Sequence, residues 1–213
     1  MKGILAGALL LALPLLSQTQ KNEKLPRYFG EAIAIDSSST VLIPTRYNAD
    51  LLSSNKLALW HDFYANVIFY DMSTDTYKKL FETDTYIRQF TRERNPIPDS
   101  RPEGNPARLN NTSRNWIFYF VKPGDYNKNG RIDNDDPSVL YVSNKAGNKI
   151  RALTPEQENA VSMEVYDKQG FALVKMQRDS DNNKRFEGKD RDFYYIRLNL
   201  ADLALGQKIE LNP

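Results

Sequence analysis

Apolar and polar residues alternate in short runs along the chain: "TVLIPTRY" at 40–47, "NVIFYDM" at 66–72, "NWIFYFV" at 115–121, "SVLYVSN" at 138–144 and "FYYIRLNL" at 193–200. The period is two, the residues are β-branched or aromatic, and turn-forming residues bound each run. That is the pattern of half-buried strands. An all-β protein is expected.

The runs recur in a fixed order. Shifting the chain by 54 residues sets Asp125 on Asp179, Asn127 on Asp181, Asn129 on Asn183, Ile132 on Phe186, Asp133 on Glu187 and Asp136 on Asp190. The register continues without a gap to Leu140 on Tyr194 and Val142 on Ile196, so this is an internal repeat. A more divergent copy lies upstream, where "NVIFYDMSTDTYKKLF" parallels "SVLYVSNKAGNKIRALT". Each unit reads as four antiparallel strands. The first, about 28–82, holds "EAIAIDS", "TVLIPTRY", "NVIFYDM" and "TYKKLF"; the second, about 83–155, holds "TYIRQF", "NWIFYFV", "SVLYVSN" and "KIRALT". The third, about 156–213, offers "AVSMEVYD", "GFALVKMQ", "FYYIRLNL" and "QKIEL". The expected fold is therefore three four-stranded antiparallel propeller-blade-like repeats in one domain, 21–213, with acidic loops between strands.

Those loops carry the candidate chemistry. Calcium takes six to eight oxygens, and a twelve-residue loop supplies them from positions 1, 3, 5, 7, 9 and 12, with glycine at 6 for the sharp turn. In "DYNKNGRIDNDD" these positions fall on Asp125, Asn127, Asn129, the carbonyl of Arg131, Asp133 and Asp136, with Gly130 at the turn. In "DSDNNKRFEGKD" they fall on Asp179, Asp181, Asn183, the carbonyl of Arg185, Glu187 and Asp190, with Lys184 in the glycine position, where a side chain at positive φ costs about 1 kcal/mol, so a distorted or weaker second site is expected. A bland turn would need Asp and Asn but not six filled slots, an apolar eighth residue and a copy 54 residues on. Because the seventh ligand is a backbone oxygen, the Arg131 side chain is expected to point into solvent. The strands that follow lack a helical stripe, so calcium is expected to clamp hairpin tips rather than to open a helix pair.

Met1 and Lys2 precede the apolar run "GILAGALLLALPLL", which is too short to span a bilayer, and 1–20 reads as a signal peptide. Export to the periplasm or the medium follows, with no membrane span once the leader is cleaved. The chain has no Cys, so disulfides do not staple it. Its net charge of +2, with Lys2 in the leader, argues against a nucleic-acid partner. The proline-rich segment between Arg92 and Asn115 reads as an exposed loop. His61 is the only histidine, and neither "SSST" at 37–40 nor Ser53 and Ser54 makes a nucleophile elbow. The aromatics Trp60, Phe63 and Tyr64 are expected to cap the first sheet rather than to stack on a sugar. The sequence thus points away from catalysis. A calcium-stabilised hydrolase acting on a glycan or ester is the alternative, with Asp36 and Asp62 as the acids outside the loops.

"LYVSNKAGNKIRALTP" at 140–155 resembles the WD-like propeller repeat of TolB-type periplasmic proteins, in which a tyrosine strand, a glycine turn and a closing Leu-Thr recur. The loops look like those of EF-hands and dockerins. Together these features resemble an exported bacterial protein of Bacteroidetes type, and the resemblance implies a noncatalytic binding scaffold for a protein or glycan partner. Three units are fewer than a closed propeller needs. Two chains joining as a homodimer of six units, open stacking, or another protein would each complete them.

Overall fold

The computed structural model of the protein describes residues 27–35, 38–47, 63–91 and 115–211. Within these the chain forms β1 (Arg27–Phe29), β2 (Ile33–Ala34), β3 (Thr40–Tyr47), β4 (Tyr64–Asp71), β5 (Thr76–Lys79), β6 (Tyr86–Phe90) and β7 (Trp116–Lys122). It continues with β8 (Val139–Asn144), β9 (Arg151–Ala152), β10 (Asn159–Tyr166), β11 (Phe171–Gln177), β12 (Phe193–Asn199) and β13 (Leu205–Glu210). Every pairing is antiparallel, and no α-helix occurs among the described residues. The all-β expectation holds. One sheet runs β1-β3-β4-β6-β7-β8-β9, with β2 also on β3 and β5 also on β4; the other runs β10-β11-β12-β13. Among the described residues the sheets do not close into a propeller.

β4 and β6 meet through a single pair, Tyr64 opposite Ile87, so the larger sheet is nearly divided there. What joins its halves is side-chain packing on β7. Successive strand residues face opposite ways, and β7 uses both faces. Phe118 and Phe120 join Leu140, Val142, Val174, Met176, Ile196 and Leu198 in one core. Ile117, Tyr119 and Val121 join Leu42, Val67, Phe69, Leu80 and Ile87 in a second. The half-buried reading of "NWIFYFV" is corrected accordingly: β7 lies between two layers, which is why its sequence is an apolar run rather than a strict alternation.

Polar groups fasten these layers at chosen points. Trp116 donates its indole N–H to the Leu200 carbonyl at 3.0 Å. The Arg88 guanidinium, over the Phe120 ring at 4.9 Å, donates to the Val161 carbonyl at 2.7 Å. Phe63 and Tyr64 are buried, with Phe63 edge-on to Tyr86 and Tyr64 edge-on to Phe90, so they cap the first strands as expected.

The strand edges differ from the sequence reading in two places. "EAIAIDS" contributes only Ile33–Ala34, because the outer edge of β3 is shared with β1, the two being separated where Gly30 N–H donates to the Pro44 carbonyl at 2.7 Å. "KIRALT" contributes only Arg151–Ala152. Its closing Leu-Thr then leaves the ladder to do other work. Leu153 N–H donates to the Leu140 carbonyl and its side chain is buried, while the Thr154 hydroxyl accepts Leu140 N–H at 2.9 Å. Leu80 closes on the Val67 carbonyl in the same way, and there buried Asn66 accepts both Val67 and Phe81 N–H through Oδ1.

Candidate metal-binding loops

Both acidic loops lie between strands, the first joining β7 to β8 and the second β11 to β12. In the first, Asp125 accepts Asn129 N–H at 3.0 Å on one oxygen and Gly130 N–H at 2.7 Å on the other. Asn127 Oδ1 accepts Asn129 N–H, and Asn129 Oδ1 accepts Arg131 N–H, both at 2.9 Å. Asp136, fully buried, ties the ends together. Its Oδ1 accepts Tyr126 and Asn127 N–H and its Oδ2 accepts Asp133 N–H at 2.8 Å. Each short polar side chain captures a backbone N–H a few residues away, which bends the chain inward and gathers its oxygens.

The second loop repeats this scheme at the same offset. Asp179 accepts Asn183 and Lys184 N–H, Asn183 accepts Arg185 N–H, and Asp190 accepts Ser180 N–H on one oxygen and Glu187 N–H on the other. Left-handed backbone falls on Lys128 and Gly130 in the first loop and on Asn182 and Lys184 in the second. Lys184 therefore adopts the glycine conformation at φ 63°, for which a side chain costs about 1–2 kcal/mol. Asp179, Asp181 and Asp190 bring carboxylate oxygens within 4.8 Å of one another. The first loop carries Asn127 where the second has Asp181, and so gathers fewer charges.

The loops also touch each other. Phe186 N–H donates to the Asp135 carbonyl at 2.9 Å, and the Phe186 ring packs on Tyr126 at 6.2 Å between centroids. Phe186 is buried there, whereas Ile132 at the matching position is half-buried. Burial, together with the Asp133 and Glu187 carboxylates, raises the Asp135 carboxyl. Burial would also raise Asp190, but hydrogen bonds from the Ser180 hydroxyl and from the N–H groups of Ser180, Glu187 and Asp181 bring it below the usual carboxylate range. Beneath the first loop Lys122 is buried; desolvation pushes it down to about 8 against the pull of Asp136, whose backbone carbonyl it donates to.

Nine of the twelve sequence-predicted ligand residues, Asp125, Asn127, Asn129, Asp133, Asp136, Asp179, Asp181, Asn183 and Asp190, enter these two hydrogen-bond schemes through their side chains, and Glu187 enters through its backbone N–H. Arg131 and Arg185 enter through their backbone N–H groups. The Arg131 side chain is exposed as expected; that of Arg185 is exposed as well and pairs with Glu187 at 3.5 Å. Sequence reasoning missed Asp135, Ser180, Tyr126 and Lys122. The first three lie inside or beside the repeat, and the fixed offset already pairs Tyr126 with Ser180. Trp60, His61, Asp36, Asp62, Ser37, Ser53, Ser54, the leader and the proline-rich segment lie outside the described residues.

Within the described residues no helix is long and apolar enough to cross a membrane. Compared with known proteins, the chain matches no family model, and no match is found among curated proteins.

Proposed function

We propose that this is an exported calcium-binding β-repeat protein, secreted or periplasmic, acting as a noncatalytic scaffold for a protein or glycan partner. The observation that carries the reading is the duplicated loop: the same hydrogen-bond scheme, 54 residues apart, around oxygen donors alone. An all-oxygen set suits a hard cation, and a charged, multi-carboxylate cage suits calcium better than magnesium, which keeps its water. Asp125, Asn127, Asn129, the Arg131 carbonyl, Asp133 and Asp136 would hold one ion. Asp179, Asp181, Asn183, the Arg185 carbonyl, Glu187 and Asp190 would hold the other, more tightly because that set carries more charge.

Bound calcium would replace carboxylate repulsion with attraction at the strand ends, the stapling role that disulfides fill in other exported proteins. β6–β9 and β10–β13 are each four consecutive antiparallel strands, which supports the blade-like reading; β3–β5 with β1 and β2 on the β3 edge would be the third unit. Two chains joined would supply six. Thermal unfolding tests the calcium claim: millimolar EGTA is expected to lower the melting temperature by roughly 5–10 °C, calcium to restore it, and magnesium to restore little. An unchanged melting temperature across these conditions would count against the proposal.

A further inference from the structure

β13 presents a surface that the acidic loops do not use. Among the described residues the strand is bonded on one side only, to β12, and Leu205 through Ile209 are all exposed. Ile209 stands opposite Tyr195 and Glu210 opposite Tyr194. Ile209 and Leu211 therefore share the outer face with Tyr195 and Phe193, and Lys208 and Glu210 turn to the other face. Lys208 is the kind of charge that blocks pairing at an exposed edge. Here it sits over the Tyr194 ring at 4.5 Å, within 4.0 Å of Glu158, and Glu210 is held by Arg178. The edge is left with Ile209 at 55% and Leu211 at 89% exposure.

At the end of this edge a groove of about 490 Å³ opens, lined by Arg178, Lys189, Arg191, Asp192, Phe193 and Leu211 among others. Arg178 is occupied by Asp192 and Glu210. Lys189 and Arg191 are the charges left over, with no hydrogen bond or ion pair among the described residues. An unpaired strand edge, an apolar outer strip and two uncommitted cations at its end are complementary to one kind of ligand. We infer that β13 and this groove bind an extended acidic polypeptide segment, which pairs along β13 and sets its carboxylates on Lys189 and Arg191. An acidic glycan would find the same cations but has no use for the unpaired N–H and C=O groups of β13. The inference does not depend on an ion in either loop.

Fluorescence anisotropy of the full chain with a labelled peptide of alternating valine and threonine, carrying two aspartates at each end, tests it. Saturable binding is expected, about tenfold weaker in Lys189→Glu/Arg191→Glu, whose wild-type side chains make no hydrogen bond or ion pair among the described residues. Methylating alternate peptide nitrogens removes the strand-pairing groups and abolishes binding. Leu211→Asp, at an almost fully exposed position, weakens it without disturbing the core. No saturable binding, equal binding of the methylated peptide, or unchanged affinity in the double variant overturns the proposal. Binding of oligogalacturonate that is lost in the double variant, with no peptide binding, also overturns it and assigns the groove to an acidic glycan.

Discussion

Asp136→Ala lowers the free energy of unfolding by about 3–4 kcal/mol, because three backbone N–H groups lose a charged acceptor at a buried site. The loss is local in origin and wide in effect. Asp136 joins the start of the first loop to its end, and the Asp136 carbonyl receives the buried Lys122 ammonium, so the β7–β8 connection loosens with it. Asp136→Asn, which keeps one acceptor oxygen, falls between wild type and alanine. Urea unfolding followed by tryptophan fluorescence, run in EGTA, reads this effect without any contribution from metal. A difference below about 0.5 kcal/mol, the range of an ordinary surface substitution, would show that the carboxylate does not hold the loop.

Gly147→Ala has the second large effect, about 3 kcal/mol or more, through two costs acting together. Gly147 has φ 68°, which an L side chain adopts only with strain. A Cβ there would stand 2.5 Å from Phe69 Cδ2 and 2.7 Å from Phe69 Cγ, well inside contact distance. Phe69 is a core residue of β4 and cannot withdraw without opening a cavity. Gly130→Ala is the control: φ is 85° but the space is open, so only the backbone strain remains, about 1–2 kcal/mol. Equal losses at the two positions would refute the packing of Phe69 on the β8–β9 turn. The same contact explains the glycine turn of "LYVSNKAGNKIRALTP": the turn must carry no side chain where the Phe69 ring of β4 rests on it.

The acidic loops were legible because their work is local. Asp125, Asn127, Asn129 and Asp136 each reach backbone N–H groups within the loop, so spacing along the chain already encodes the geometry. The repeat was legible for the same reason, and the left-handed residues fall at the same offset, Lys128 with Asn182 and Gly130 with Lys184. Contacts between elements distant in the chain were not legible. Nothing near Phe186 in the sequence shows that its N–H meets Asp135 or that its ring meets Tyr126, since both partners lie in the other loop, before β8. Likewise the sequence of "NWIFYFV" reads as a half-buried strand, and only the packing of other strands on both faces of β7 shows that two cores meet on it. The shortness of β2 also depends on a neighbour, because β1 takes the rest of the β3 edge.

Isothermal titration of calcium into metal-stripped protein reads ion binding in the two loops directly. Saturable heat is expected with one ion entering each loop, the four-carboxylate second loop filling at lower calcium than the first, and Asp190→Ala removing the tighter phase alone. Absence of any binding heat across micromolar to millimolar calcium would contradict it.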